Sequence, residues 1–218
     1  MKGIIRDGSF DADRHLAILE VNYTDEEEWD VEAFNALKES ELQKIREEGA
    51  DYDREIWFRQ EPYFRYFRKF KKTYPVMMQV ESFLLKGKPF PEGNYVNAVA
   101  FLTELKMRCL LGSHDADMIE GDLVIYLESE KTDFPSIHGG TAHSYPGDIT
   151  CRDELGVVVS MIAGADARTC LNEGSRHVLY FSFGTPGVEQ DVLAGYLEQV
   201  DVYVKTLSPA AETKMYCF

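Results

Sequence analysis

The densest group of residues able to carry out chemistry is the passage HDADMIEGD, which runs from His114 to Asp122. It places one imidazole and four carboxylates in nine positions, and such side chains bind metal ions or transfer protons. An EF-hand calcium loop is excluded, because Glu120 stands at the sixth position, where that loop needs glycine. The zinc-protease pattern of two histidines one helical turn apart is also missing, so we expect no metal.

Two other interpretations of this passage remain open. A carboxylate and the imidazole of His114 could act as a general acid and base if the fold brought them together on a substrate. Alternatively, Asp115 and Asp117 hydrogen-bond their own backbone in a tight turn, and Glu120 leads into a strand that starts at Asp122. The residues taken alone favour the turn.

A second candidate site is the basic segment DREIWFRQEPYFRYFRKFKKTYP, which spans residues 53–75. Pro62 suits a first helical turn, after which aromatic side chains fall on one face and basic side chains mostly on the other. Aromatic residues interleaved with Arg65, Arg68 and Lys69 are typical of surfaces that stack on RNA bases and contact phosphates. The ordinary alternative is a helix that buries its aromatic face and exposes its basic face to water.

Composition limits the partners of this protein. The formal net charge is −15, and an acidic surface repels phosphate backbones, so strong non-specific nucleic-acid binding is disfavoured outside a local basic patch. The four cysteines lack the spacing of a zinc knuckle, and we expect them to be reduced. Because no apolar run reaches the roughly 18 residues of a membrane span, and the N-terminus lacks a signal peptide, we expect a cytoplasmic protein without a membrane partner.

The elements that position these residues follow from hydrophobic periodicity and from capping residues. Helices are expected over residues 24–49, with a break near Ser40 left open, from Pro62, and over 76–87, 94–112 and 187–207. Strands are expected over residues 15–21, 122–128, 148–153, 156–163 and 177–184. With neither a repeat nor a linker, residues 1–218 are expected to form one α+β domain with a mixed β-sheet core flanked by helices.

Several motifs together resemble a known family. GSHDADMIEGDLVIYL follows the asparagine-centred helix NYVNAVAFLTEL, VESFLLKGKPFP lies upstream, and RTCLNEGSRHVLYFSFG lies downstream. In this order they resemble the tRNA-editing domain of the phenylalanyl-tRNA synthetase β subunit, the B-three/B-four domain, which also occurs as free-standing proteins. The resemblance covers about residues 15–185 and leaves 186–218 as a C-terminal helix and tail.

The resemblance implies a mixed sheet wrapped by helices, a cleft between two halves, and tRNA or aminoacyl-tRNA as the partner. In the synthetase, this cleft hydrolyses the ester of tyrosine wrongly attached to the phenylalanine tRNA, a reaction that needs no covalent nucleophile, metal or cofactor. The synthetase histidine falls at Gly112, so no catalytic residue is assigned. The substrate-binding positions that the resemblance implies are Asn97, His114, Asp115, Glu120, Arg168 and Thr169.

Two functions remain open at this point. One is an editing-like domain that hydrolyses, or at least recognises, mischarged aminoacyl-tRNA. The other is a non-catalytic module that binds an amino acid or another small ligand. Individual residues also have structural alternatives, because Arg168 could form a salt bridge, Thr169 could cap a turn, and His138 and His143 lie in a glycine-rich stretch.

Overall fold

Helices dominate the first half of the described chain and strands the second half, with exceptions at both ends. The computed structural model describes residues 1–10 and 14–218, and over these residues it contains six α-helices and eleven β-strands. The helices are α1 (Val31–Glu48), α2 (Arg54–Phe58), α3 (Pro62–Lys69), α4 (Pro75–Leu84), α5 (Tyr95–Met107) and α6 (Gln190–Leu207). The strands are β1 (Ile4–Arg6), β2 (His15–Asn22), β3 (Leu111–Asp115), β4 (Leu123–Leu127), β5 (Asp133–Pro135), β6 (Thr141–His143), β7 (Ile149–Asp153), β8 (Gly156–Ser160), β9 (Gly164–Ala165), β10 (His177–Gly184) and β11 (Glu212–Cys217).

A four-stranded antiparallel sheet forms around β10, in the order β11-β2-β10-β3. β10 pairs with β2 along its whole length, from His177 opposite Asn22 to Gly184 opposite His15. Its sequence, HVLYFSFG, is rich in aromatic and aliphatic residues that favour strands, and its last seven residues are buried. This sheet therefore passes through the core.

A second sheet has five strands in the order β1-β4-β7-β8-β9. β1 pairs with β4 in parallel and the other neighbours are antiparallel, so this sheet is mixed. A separate hairpin joins β5 to β6, and the residues between them form the glycine-rich turn that contains His138. The predicted α+β fold, with a mixed sheet and flanking helices, is confirmed.

Three helices cover one face of the four-stranded sheet. α6 packs on β2 and β10, α5 packs on α6 and β3, and α1 contacts both helices. Tyr180 of β10 faces this layer, because its hydroxyl donates to the carbonyl oxygen of Val96 in α5 at 2.9 Å. α6 buries Leu193, Leu197 and Val200 at helical spacing, which gives it one apolar stripe against the sheet.

The first predicted helix is shorter than its sequence pattern indicates. Residues 26–28 form a separate 3₁₀ turn, and α1 begins after Asp30, whose side chain accepts a backbone N–H at 2.9 Å. The indole N–H of Trp29 donates to the carbonyl oxygen of Thr24 at 3.0 Å, which holds the extended residues between the two helices. α1 then runs without a break through Ser40.

Two strands also differ from the sequence-based expectation. The helix expected over residues 94–112 ends at Arg108, which adopts a left-handed backbone with a φ of 55°, and β3 follows it. Gly112 therefore lies inside a strand rather than at a helix end. The expected polar tail contains β11, which pairs with β2 and alternates exposed with half-buried residues along most of its length. The division of the chain at residue 186 stays a prediction.

One connected cluster of buried apolar side chains joins the helices to both sheets. The four cysteines are free thiols, and Cys109 and Cys151 are buried within this cluster. Across residues 1–10 and 14–218, every helix is too short or too polar to span a bilayer.

Candidate functional site

The acid-rich passage forms the end of β3 and a 3₁₀ turn, Ala116–Met118. Asp115 is buried, and one of its oxygens accepts the N–H of Asp117 at 3.0 Å while the other accepts the hydroxyl of Ser175 at 2.5 Å. These bonds make the passage a tight turn. Within residues 1–10 and 14–218, no group of three or more His, Cys, Asp or Glu side chains is placed to hold a metal ion.

Arg168 holds this turn against the five-stranded sheet. Its guanidinium donates to the carbonyl oxygen of Met118 and lies 2.8 Å from the buried carboxylate of Asp153. Its Nε lies 3.6 Å from a second carboxylate, that of Asp166. Asp153 also accepts the N–H of Glu120 at 2.9 Å, whereas the side chain of Glu120 is exposed to solvent. The guanidinium of Arg168 is therefore engaged by protein groups.

His177 forms hydrogen bonds on the other side of the turn. Its Nδ1 lies 2.9 Å from a carboxylate oxygen of Asp117, and its Nε2 lies 2.8 Å from one of Glu20 on β2. Partial burial favours the neutral imidazole, but the hydrogen bonds and charges of the two carboxylates outweigh burial and raise the pKa of His177. This histidine therefore ties the turn to the four-stranded sheet.

His114, Thr169 and Asp166 form a buried hydrogen-bonded chain. Nδ1 of His114 lies 2.8 Å from the hydroxyl of Thr169, and this hydroxyl also donates to a carboxylate oxygen of Asp166. The same oxygen accepts the N–H of Thr169 at 3.0 Å. Because an ionised carboxylate only accepts, Thr169 gives its one proton to Asp166 and accepts the proton on Nδ1. Nε2 of His114 is left as an unprotonated acceptor.

The second nitrogen of His114 has an unusual environment. Nε2 is buried and has no hydrogen-bond partner in the described part of the chain. Burial, with a smaller contribution from the positive charge of Arg168, lowers the pKa of His114 to about 3. The ring packs edge-on against Phe181 at 5.1 Å, and a Cβ added at Gly112 would lie 3.6 Å from Nε2. At neutral pH this imidazole is an acceptor and not a cation.

Asn97 lies elsewhere, in a pocket of about 350 Å³ between α5, β3 and the turn that precedes α5. Polar walls of this pocket come from Asn97, Glu104 and Ser113, and apolar walls include Phe90 and Phe101. The two phenylalanine rings meet edge-on at 5.1 Å. The volume and the few convergent polar groups are those of a small-ligand site. We refer to it below as the α5 pocket.

Glu104 is the buried ionisable group of the α5 pocket. One of its oxygens accepts the N–H of Leu111 at 3.0 Å. Burial raises the pKa of Glu104 to about 7, against the opposing effects of this bond and of the Gln79 side chain. Glu104 was not among the site residues predicted from the sequence. The available signal was a glutamate inside the otherwise apolar helix NYVNAVAFLTEL.

The structure thus divides the six predicted substrate-binding residues among three places. Asn97 lines the α5 pocket, whereas His114, Thr169 and Arg168 lie around the buried hydrogen-bonded chain, and the two acids lie in the turn. Their roles in binding a substrate stay predictions.

Basic side chains line grooves on two sides of α3. On one side, Arg65 and Lys69 line a groove of about 240 Å³. On the other side, Arg68, Lys71 and Lys72 line a wider groove of about 450 Å³. We call these five residues the basic surface.

Aromatic rings lie beside these cations. The guanidinium carbon of Arg68 lies 5.5 Å from the ring centre of Phe64, and the ammonium of Lys72 lies 5.5 Å from that of Tyr145. Three other aromatic residues of α3 are buried in the core, so the buried aromatic face expected from the sequence is also present. α3 therefore buries an aromatic face and exposes basic side chains, as the ordinary alternative expects, and contact of this surface with RNA stays a prediction.

Comparisons with known proteins give a distant similarity. No family model matches the chain, and no curated protein matches it. Among solved structures, the chain is similar to an N-terminal fragment of the phenylalanyl-tRNA synthetase β subunit from Pyrococcus horikoshii, with 10% sequence identity and a TM-score of 0.48. The match covers 97% of this chain and 50% of that one, so the chain spans about half the length of the structure it matches.

Proposed function

We propose that this protein binds RNA through the basic surface of α3. The main support is that the segment around α3 is positively charged, whereas the chain as a whole is negatively charged. Residues 62–74 contain five Lys and Arg and no Asp or Glu, in a chain whose net charge is −15. None of these five cations forms a salt bridge within the described residues, so they are available to phosphates.

The aromatic rings favour RNA over other anionic partners. Phe64 lies beside Arg68, and Tyr145 lies beside Lys72, so each ring is paired with a cation. Unpaired bases stack on such rings while the neighbouring cations contact the backbone, a combination typical of single-stranded nucleic-acid sites. An acidic peptide or a lipid headgroup offers no bases for these rings.

A narrower form of this proposal is recognition, with hydrolysis, of mischarged aminoacyl-tRNA. This activity requires an RNA-binding surface and a pocket for the aminoacyl group in the same molecule. The basic surface and the α5 pocket supply candidates for both. In the α5 pocket, the amide of Asn97 is a hydrogen-bond donor that could stabilise an oxyanion formed when an ordered water attacks the ester.

Two assays separate the general proposal from the narrower one. Filter binding of labelled tRNA should show retention at low salt that weakens steeply as salt is raised. Release of tyrosine from phenylalanine-specific tRNA, and of amino acids from a panel of other mischarged tRNAs, should exceed release in buffer. Failure to retain tRNA at low salt would reject RNA binding, whereas retention without deacylation would reject only the hydrolysis.

A second candidate function is a non-catalytic module that binds an amino acid or another small ligand. The observation that favours it is the α5 pocket, where Asn97, Glu104 and Ser113 converge beside two phenylalanine rings. Titration of the ¹⁵N-labelled protein with amino acids and small amines should shift the amide signals of α5. Signals that stay unchanged with every compound would reject this candidate.

A further inference from the structure

The charge of the α5 pocket restricts what it can hold. Two carboxyl side chains, those of Glu92 and Glu104, line the pocket, and its walls include no Lys or Arg among the described residues. Glu104 lies deep in the wall, with 7% of its surface exposed, whereas Glu92 lies at the exposed rim. An anionic ligand would meet a carboxyl group at both positions and would be repelled by Glu104 once the pH exceeds its raised pKa of about 7.

The hydrogen-bonding groups next to Glu104 point to a donor. Its carboxyl accepts the N–H of Leu111 at 3.0 Å and also interacts with the side-chain amide of Gln79. Nearby, the side-chain oxygen of Gln79 is buried without a hydrogen-bond partner in residues 1–10 and 14–218. Gln79 lines a groove that adjoins the α5 pocket, since both include Phe101. A carboxylate has about four acceptor positions, so a ligand in the α5 pocket with several N–H groups would still find acceptors on Glu104.

The apolar wall adds a second requirement. Phe90 and Phe101 meet edge-on at 5.1 Å and form the apolar part of the lining, beside the polar groups of Asn97 and Ser113. The ammonium of Lys38, which lines a neighbouring groove, lies 5.7 Å from the ring centre of Phe90. Aromatic faces attract cations as well as apolar groups. A ligand that fits both walls therefore carries a positive donor at one end and an apolar body at the other.

We propose that the α5 pocket binds a ligand with an ammonium group and an apolar or aromatic body, whose carboxyl group is absent or blocked as an ester or amide. The ammonium has three donors and no acceptor, which matches the carboxyl of Glu104 and the side-chain oxygen of Asn97, two groups that line the pocket. A free carboxylate on the ligand would lie near Glu92 or Glu104, and the described residues that line the pocket include no Lys or Arg to receive it. This inference rests on the second candidate function, that the α5 pocket holds a small ligand.

Four probes of similar size test the inference by NMR titration of the wild-type protein. 2-Phenylethylamine and phenylalanine methyl ester carry the ammonium without a free carboxylate, whereas free phenylalanine adds the carboxylate. Methyl 3-phenylpropanoate has the same body without the amine. The first two should bind, and the last two should bind about tenfold more weakly or less.

Matched variants assign the effect to named side chains. Glu104→Gln keeps the shape of the side chain and should weaken the binding of 2-phenylethylamine about tenfold or more, whereas Glu198→Gln, at an exposed glutamate of α6, should leave it unchanged. Asn97→Ala changes an exposed residue, so it provides a folded second variant, and it should also weaken binding.

The outcomes distinguish the inference from the candidate function on which it rests. If no probe shifts the signals of α5, both are overturned. If methyl 3-phenylpropanoate or free phenylalanine binds as well as the two amines, the α5 pocket is still a small-ligand site but the ammonium inference is overturned. The same conclusion follows if Glu104→Gln and Asn97→Ala both leave amine binding unchanged.

Discussion

Asn97 and His114 lie on opposite faces of the four-stranded sheet. Ser113 lines the α5 pocket together with Asn97, and its neighbour His114 points to the other face, because adjacent strand residues alternate. The pairing of β3 with β10 agrees, since Ser113 lies opposite Tyr180, whose hydroxyl reaches α5, and His114 lies opposite Leu179. A single small ligand therefore cannot contact both Asn97 and His114.

The tautomer of His114 is directly measurable. The hydroxyl of Thr169 donates to Asp166, so we predict a neutral imidazole that carries its proton on Nδ1. Because the pKa of His114 is lowered to about 3, its ring signals should stay constant between about pH 5 and 8. Long-range ¹H–¹⁵N spectra of the histidine rings provide the measurement. A proton on Nε2, or a titration midpoint near 6, would be inconsistent with the buried chain.

The hydroxyl of Thr169 should matter for stability. Thr169→Val keeps the size of the side chain but removes the hydroxyl that joins His114 to Asp166, so Nδ1 of His114 is left buried and unpaired while Asp166 keeps only the backbone N–H of residue 169 and the neighbouring Arg168. We expect unfolding in urea to show a loss of about 1–3 kcal/mol. Thr169→Ser, which keeps the hydroxyl, is the matched control and should lose less. Equal losses in the two variants would show that the hydroxyl contributes little.

Glu104 should make the protein less stable as the pH rises from about 4.5 to 7. Burial raises its pKa from 4.5 to about 7, so in this range the folded protein keeps a proton that the unfolded chain has lost. The stability present below pH 4.5 is therefore lost through this window, up to a limit of about 3 kcal/mol. Asp148, whose pKa burial also raises to about 7, acts in the same direction.

The variant Glu104→Gln isolates this contribution, because Asp148 is the same in both proteins. Urea unfolding at pH 5 and pH 8 should show a smaller loss of stability in the variant than in the wild type. The same loss in both proteins would mean that Glu104 titrates at its ordinary value in the folded state.

His177 should add a further loss of stability at higher pH. Its pKa is raised above 6.5, so its contribution is complete below 6.5 and disappears as the pH rises through the raised value. Because the ring is partly exposed, we expect no more than about 1 kcal/mol. NMR titration should give a midpoint above 6.5 in the wild type. In the variant Asp117→Asn the midpoint should fall, and an unchanged midpoint would remove Asp117 as the cause.

The sequence predicted the elements whose side chains repeat with a clear period. β2 and β10 are dense in apolar and aromatic residues, and α5 carries both its cap, Asn94, and a long run of mostly apolar residues. β3 was missed because Leu110 and Leu111 continue the apolar pattern of α5. The helix ends at Arg108 in a left-handed conformation, and an arginine gives no sequence signal for that conformation.

The site was less predictable than the fold, because its contacts join distant parts of the chain. His114 is hydrogen-bonded to Thr169, 55 residues away in the sequence. The residues next to His114 in the sequence give no sign that its Nε2 is left without a hydrogen-bond partner in the described part of the chain. Whether Arg168 is available to a ligand depends on Asp153, which only the packing of the turn on the five-stranded sheet brings within 2.8 Å. The basic surface was visible in the sequence, because its five cations lie within one short segment.

The salt dependence of RNA affinity tests binding by the basic surface most directly. The triple variant Arg68→Gln, Lys71→Gln and Lys72→Gln removes three of the four cations that line the wider groove and keeps Arg54, which is paired with Glu81, so no described salt bridge is altered. Each lost phosphate contact should reduce the slope of log affinity against log salt by about 0.7 for a single strand, so a decrease of up to about 2 is expected.

The matched control removes the same charge elsewhere, by changing the exposed residues Lys2, Lys131 and Lys214 to glutamine. Affinity for a single-stranded RNA should be measured by filter binding across a series of salt concentrations for both variants and the wild type. We expect weaker binding and a shallower slope only in the triple variant of the basic surface. Equal slopes in all three proteins, or an equal decrease in both variants, would contradict this expectation.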